Sequence, residues 1–389
     1  MEDKIWNKSF ILLVLSNFLM YSTYYSILSV LPLYLVNITH ATKIQVGVVV
    51  GVFTIASVIV RPFSGYVLDR FGRRAIFILS LILYSFFFVG YLFANTIVSI
   101  VVLRFLHGLI WGFATVSGPT IAVDIIPEGK KGEGIGYFAL STTLGMSIGP
   151  FIGTFISYWW GYDFMFISGC LISLVGVYFT YSIKLRKRFL LGRKMQFRWN
   201  RLFDSKSIIP SVNVFITMLA YGGLISFITL YGKELNIKNA SFYFFIFSVG
   251  IAIARLTTGR IFDKKGPRLI VIQSLFLLII GFGLLAFAKS ELFFYLTALI
   301  IGFGNGGIYP VFQSIINNLS DPKHRGTANS TLYTAIDLGL GLGMVFAGSV
   351  AHHYSISMVF IANSIICLLS LIYFYFIAMN YYKREMLYR

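Results

Sequence analysis

The chain alternates long apolar runs with short charged stretches. Runs of about 20 mostly apolar residues, enough to cross a bilayer core as a helix, recur near 10–36, 44–68, 76–94, 98–124, 134–158 and 162–183. They resume near 208–232, 241–262, 268–288, 292–318, 328–352 and 356–378. The pattern predicts an all-α integral membrane protein with twelve transmembrane helices in two six-helix repeats. The expected organisation is an N-terminal six-helix bundle over 1–183, a cytoplasmic basic linker over 184–206 and a C-terminal six-helix bundle over 207–389. The first run is longer than a signal-peptide core and lacks a small-residue cleavage site, so it reads as a span.

Composition supports this. The residues are 57% hydrophobic and 12% charged, against about 45–50% and about 25% in soluble domains. A net charge of +18 raises the question of a nucleic-acid partner. The placement of the charges answers it. Lys4, Lys8, Arg70, Arg73, Arg74, Lys130, Lys131, the basic residues of 184–206, Arg260, Lys264, Lys265, Arg268, Lys323, Arg325, Lys383, Arg384 and Arg389 all fall on the side of the termini. The other side carries Lys43, Lys233, Lys238 and Lys289, while Arg61, Arg104 and Arg255 lie inside spans. By the positive-inside rule both termini and the linker are cytoplasmic, in a bacterial inner or plasma membrane. The charge marks topology, and no nucleic-acid partner is expected. The linker itself reads equally as an amphipathic helix on the inner leaflet or as a solvated basic segment.

Cys170 and Cys367 lie in apolar runs and read as small buried hydrophobes. His352 and His353 fall at an outer helix end and read as interfacial. No Walker-type phosphate loop and no metal-ligand spacing occurs, so no cofactor, no metal and no ATP-driven step is expected.

The two halves repeat. A shift of 194 residues carries Arg61, Gly65, Asp69 and Gly72 onto Arg255, Gly259, Asp263 and Gly266. It also carries Gly108, Gly112, Gly132, Gly145 and Gly149 onto Gly302, Gly306, Gly326, Gly339 and Gly343. With six spans in each half, the repeats share one orientation and relate by an axis along the membrane normal.

On these residues the chain resembles the major facilitator superfamily, and within it the twelve-spanning antiporters that exchange drugs or metabolites for protons. GYVLDRFGRR (Gly65–Arg74) is similar to the signature loop between helices 2 and 3, and GRIFDKKGPR (Gly259–Arg268) is a weaker copy. RFLHGLIWG (Arg104–Gly112) is similar to the fourth-helix motif, and GMSIGPFIG (Gly145–Gly153) to the fifth-helix motif of exporters. Pro32, near the end of helix 1, fits the same group. The resemblance implies transport by alternating access, with helices 1, 4, 7 and 10 lining a cavity and 2, 5, 8 and 11 flanking it. It also implies a gating motif of Gly65, Asp69, Arg73, Asp124 and Asp263. In it Asp69 faces a helix N-terminus, where a carboxylate is favoured, and Arg73 pairs with Asp124.

The residues themselves add chemistry. Gly145, Gly149 and Gly153 form an i, i+4, i+8 stripe for close helix packing, with Pro150 permitting a bend. The stripe is expected to meet a helix of the other half. Polar stripes recur at the same spacing: Asn17–Tyr21–Tyr25, Asn213–Thr217–Tyr221, Asn305–Tyr309–Gln313 and Asn329–Tyr333–Asp337. Each is read either as interhelical hydrogen bonding or as the wall of an aromatic, wet cavity. Arg104, His107 and Trp111 share one face of helix 4, and Arg104 and Trp111 join the cavity set.

Proton coupling is expected of Asp337, His107 and Arg104. Asp337 is the one carboxylate the pattern places well inside a span, where its charge depends on the balance between burial and any nearby cation. The expected function is proton-coupled export of a drug-like molecule or metabolite by a monomer that is not an enzyme. Arg104 and Arg255 outnumber Asp337, which favours anionic or zwitterionic solutes, and helix 1 lacks the embedded acid that some multidrug exporters carry. Two other readings stay open: a proton symporter importing a sugar, peptide or carboxylate, and a lipid flippase or intramembrane enzyme.

Overall fold

A computed structural model describes residues 5–127, 130–184, 204–240, 242–320 and 325–387. The apolar runs become helices: α1 (Lys8–Ile38), α2 (Lys43–Phe71), α3 (Arg73–Gly90) and α4 (Ile97–Ile125). The long stretch Lys131–Tyr181 breaks at Gly161, whose φ of 86° only glycine adopts readily. The break separates α5 (131–160) from α6 (162–181). Then come α7 (Ser205–Glu234), α8 (Phe242–Lys265), α9 (Pro267–Ala286), α10 (Glu291–Leu319), α11 (Arg325–His353) and α12 (Ile356–Tyr373). A π turn, Phe374–Ala378, leads into a last helical stretch, Met379–Leu387. Among the described residues the expected twelve helices are all present, with no strand.

Helix starts follow local sequence. The Asn7 side chain accepts from the Phe10 N–H at 2.9 Å, and Thr96 and Ser99 form a reciprocal capping box. Ser290, the repeat partner of Thr96, caps α10 in turn. Gly72 and Gly266 precede α3 and α9 at matching positions, with φ of 93° and 72°.

Two compact units form, Met1–His40 with Val52–Phe197 and Ala41–Gly51 with Arg198–Arg389. In a bilayer apolar burial does not drive helices together, so small residues and dispersion contacts must. The repeat glycines do this in both units. A Cβ on Gly108 would lie 2.2 Å from the Phe53 carbonyl oxygen, and one on Gly302 2.1 Å from that of Phe247. Gly112 likewise meets Ser57, and Gly306 meets Ile251. The shift of 194 residues therefore holds in space, contact for contact. Large apolar side chains such as Leu79, Phe86, Leu171 and Phe276 point outward and are exposed, as lipid-facing residues are.

The glycine stripe of α5 corrects one expectation. Gly145, Gly149 and Gly153 meet Ser22, Tyr25 and Ser26 of α1, inside their own unit, where the sequence reading expects a helix of the other half. Helical spacing defines which residues share a face, not which helix that face meets. Around Pro150 the freed geometry is held by hydroxyls. Thr154 and Ser29 donate to its carbonyl at 2.6 and 3.3 Å, and Ser26 donates to Gly149 at 2.7 Å.

Candidate functional site

The close approach of α2 at Gly108 sets the first part of the site. It brings the Phe53 ring over the guanidinium of Arg104, 4.1 Å from ring centre to carbon. Tyr24 of α1 stacks on Phe53 (5.1 Å, 27° between planes) and on Trp111 (4.3 Å, 22°). Trp111, Tyr24, Phe53 and Arg104 thus form one continuous column. Tyr21 meets Trp111 edge-on at 5.0 Å, and Tyr25 meets Tyr24 at 4.9 Å. Desolvated cation–π contacts contribute about 2 kcal/mol, and aromatic pairs about 0.5–1.5 kcal/mol each beyond burial.

His107 lies beside it, fully buried among Phe53, Tyr84, Phe87 and Phe88 at 4.5–5.4 Å. Its Nδ1 is 3.3 Å from the Tyr91 hydroxyl. Its Nε2 has no hydrogen-bond partner among the described residues. Tyr84 reaches Thr23 at 3.3 Å and so fastens α3 to α1. Tyr24, Phe53, Tyr84, Phe87, Phe88 and Tyr91 are absent from the sequence-based set. The run 84, 87, 88, 91 carries aromatics at i, i+3, i+4, i+7, a signal as regular as the polar stripes.

The cluster has no copy in the second unit. The shift of 194 residues turns Tyr24, Tyr84, Phe87, Tyr91, Arg104, His107 and Trp111 into Met218, Leu278, Gly281, Leu285, Ala298, Ile301 and Asn305, and only Phe53 and Phe88 are kept, as Phe247 and Phe282. Packing glycines repeat because both units need the same scaffold. The polar and aromatic groups answer to something else.

In the second unit the Tyr309 hydroxyl donates to that of Tyr333 at 3.0 Å, joining α10 to α11. Asp337 is one turn beyond Tyr333, and Gln313 one turn beyond Tyr309; all four are half-buried. Asn305 is buried, and Tyr221 is buried against Phe247 at 6.0 Å. Asn213 donates to the Ser370 carbonyl and hydroxyl at 2.7 and 2.9 Å, tying α7 to α12. Thr217 shares that hydroxyl at 3.0 Å. Asn17 donates to Ser141 and Thr142 at 2.8 and 2.9 Å, tying α1 to α5. The set therefore divides. Tyr21, Tyr309, Gln313, Tyr333 and Asp337 keep surface open, while Asn17, Tyr25, Arg104, His107, Trp111, Asn213, Tyr221 and Asn305 are buried.

Of the gating motif, Arg73 Nη1 contacts both carboxylate oxygens of Asp124 at 2.6 and 2.9 Å. The charged pair joins the start of α3 to the end of α4. Gly65 and the side chains of Asp69, Asp263 and Asn329 lie outside the described part of the structure.

Comparison with known proteins agrees with this architecture. Residues 13–265 and 210–385 match the Major Facilitator Superfamily. The chain belongs to that superfamily and is a multi-pass membrane transporter of small molecules. It is 25% identical over 384 residues to Multidrug resistance protein MdtG of Klebsiella pneumoniae, covering 95% of this chain and 93% of that one. It is 23% identical over 325 residues to the Staphylopine export protein of Staphylococcus aureus, covering 80% and 81%. Among solved structures, a bacterial homolog of the human lysosomal transporter Spinster shares the fold with a TM-score of 0.81 at 15% identity, over 97% of both chains.

Proposed function

We propose that the protein exports a small organic molecule from the cytoplasm in exchange for protons, by alternating access, as a monomer with both termini cytoplasmic. The observation that carries this reading is similarity over 95% of the chain to a protein named for drug resistance and over 80% of it to one named for export. The glycine–proline stripe at 145–153 and the excess of basic residues on the side of the termini support it.

Half-buried groups of each unit are the ones that meet the solute: Tyr21 in the first, and Tyr309, Gln313 and Tyr333 in the second. Tyrosines give such a site both ring faces and hydroxyls, which suits a planar organic solute carrying polar groups. Trp111, Tyr24, Phe53 and Arg104 hold Tyr21 in place and act as positioning residues, with His107 packed against them. Asp337 carries the proton. Asp69, Asp263 and the Arg73–Asp124 pair belong to the gate.

Everted membrane vesicles energised by respiration, screened over a panel of organic solutes, test the reading. At least one solute is expected to accumulate inside, and a protonophore to release it. Accumulation only in right-side-out vesicles would make the protein an importer. For topology, Arg193→Cys is expected to resist an impermeant thiol reagent in intact cells and to react in everted vesicles. Labelling in intact cells would reverse the orientation.

A further inference from the structure

Two cation–ring pairs occupy matching positions in the two units. The Arg74 guanidinium lies 5.7 Å from the centre of the Tyr181 ring, and that of Arg268 lies 5.3 Å from Tyr375. Residues 74 and 181 become 268 and 375 under the shift of 194. The first pair joins the start of α3 to the end of α6. The second joins the start of α9 to the π turn after α12. Their surroundings differ. Tyr181 closes a regular helix while Tyr375 sits in the π turn, and the residue before the arginine is Arg73 in one unit and Pro267 in the other. What persists through these changes is the pair itself.

Both pairs are open to their surroundings. Tyr181 is 67% exposed and Tyr375 46%, Arg268 is exposed and Arg74 half-buried. The Arg74 Nη2 donates to the Tyr181 carbonyl, which holds the planar group at the ring. Neither arginine has a carboxylate partner among the described residues. Further cations follow each tyrosine along the chain: Lys184, whose backbone bonds Ser9 at the start of α1, after Tyr181, and Arg384, which lies over Tyr381, after Tyr375. An arginine held at an exposed tyrosine, where spans leave the apolar core, sits at the level of lipid headgroups.

We propose that Arg74–Tyr181 and Arg268–Tyr375 are two equivalent binding sites for the phosphate of an anionic phospholipid headgroup, one per unit, in the leaflet on the side of the termini. A guanidinium has five donors in a fork that matches phosphate oxygens, and the bond to the Tyr181 carbonyl occupies only one. Basic pockets between spanning helices select anionic headgroups by the same chemistry. The sites do not depend on the export reading.

The test uses the purified full chain in detergent, incubated with equimolar phosphatidylglycerol and phosphatidylethanolamine of matched acyl chains. Retained lipid is counted by native mass spectrometry. The wild type is expected to retain phosphatidylglycerol preferentially, up to one lipid per unit. Arg74→Gln and Arg268→Gln should each lower that retention, and the double variant should bring it several-fold down to the phosphatidylethanolamine level. Should the double variant not purify, the two single variants decide. Equal retention of the two lipids by the wild type, or wild-type retention by the variants, overturns the proposal. So does displacement of phosphatidylglycerol by millimolar inorganic phosphate, which would make these free-anion sites.

Discussion

Asp337→Asn is expected to bring proton-driven accumulation in everted vesicles down to that of vesicles lacking the protein, while counterflow exchange of solute stays near wild type. The residue sits on α11 one turn beyond Tyr333, whose hydroxyl is fixed by Tyr309 at 3.0 Å, and its side chain is half-buried. An ionisable group inside a span is costly unless water or a partner reaches it. A conformational change that alters either one alters how strongly the charged form is favoured. A difference of about 1.4 kcal/mol between two conformations changes proton loading tenfold. Asparagine keeps the shape and most hydrogen-bonding capacity but cannot titrate. Exchange, which needs only the solute site and the conformational change, should therefore survive. If Asp337→Asn vesicles still accumulate solute and lose it to a protonophore, the proton is carried elsewhere, with His107 and Asp124 the next groups to replace.

The scaffold was far more legible in the sequence than the site. Twelve spans follow from apolar length alone, because a bilayer leaves a helix no other way to satisfy its backbone. The repeat was legible through Arg61, Gly65, Asp69 and the glycines, and the structure shows why: Gly108 and Gly302 each admit a neighbouring backbone. The pairing of Arg73 with Asp124 followed from the family resemblance. Helix neighbours were not legible. Asn17 shares a helix with Tyr21 and Tyr25, yet it bonds to Ser141 and Thr142 on α5 while Tyr21 meets Trp111 on α4. Polar spacing singles out Tyr25 and not its neighbour Tyr24, although Tyr24 completes the stack between Phe53 and Trp111. Residue period fixes a face. Which helix the face meets depends on contacts distant in the chain, and for α4 that contact is set by a glycine.

That dependence gives the last prediction, in which Gly108→Ala and Gly302→Ala should destabilise the protein comparably and yet differ in transport. In both, the new Cβ would fall within 2.2 Å of a backbone carbonyl oxygen, so the helices must separate. Overpacking of this kind destabilises by about 1–3 kcal/mol, and backbone neighbours place these sites toward the upper end. Gly136, with nothing within 4 Å of its Cβ position, is the control. Gly136→Ala should be neutral or stabilise by up to about 1 kcal/mol through helix propensity. Thermal unfolding of the purified variants measures these effects. The transport difference follows from what lies next to each glycine. Moving α2 away from Gly108 lifts Phe53 from Arg104 and loosens Tyr24, Trp111 and Tyr21, whereas Phe247 beside Gly302 stacks, among the described residues, on the buried Tyr221 alone and carries no cation. Transport per folded molecule is therefore expected to fall several-fold in Gly108→Ala and to stay near wild type in Gly302→Ala. Equal specific transport in the two variants would reduce the aromatic column to packing, and the positioning role of Arg104 and Trp111 would go with it.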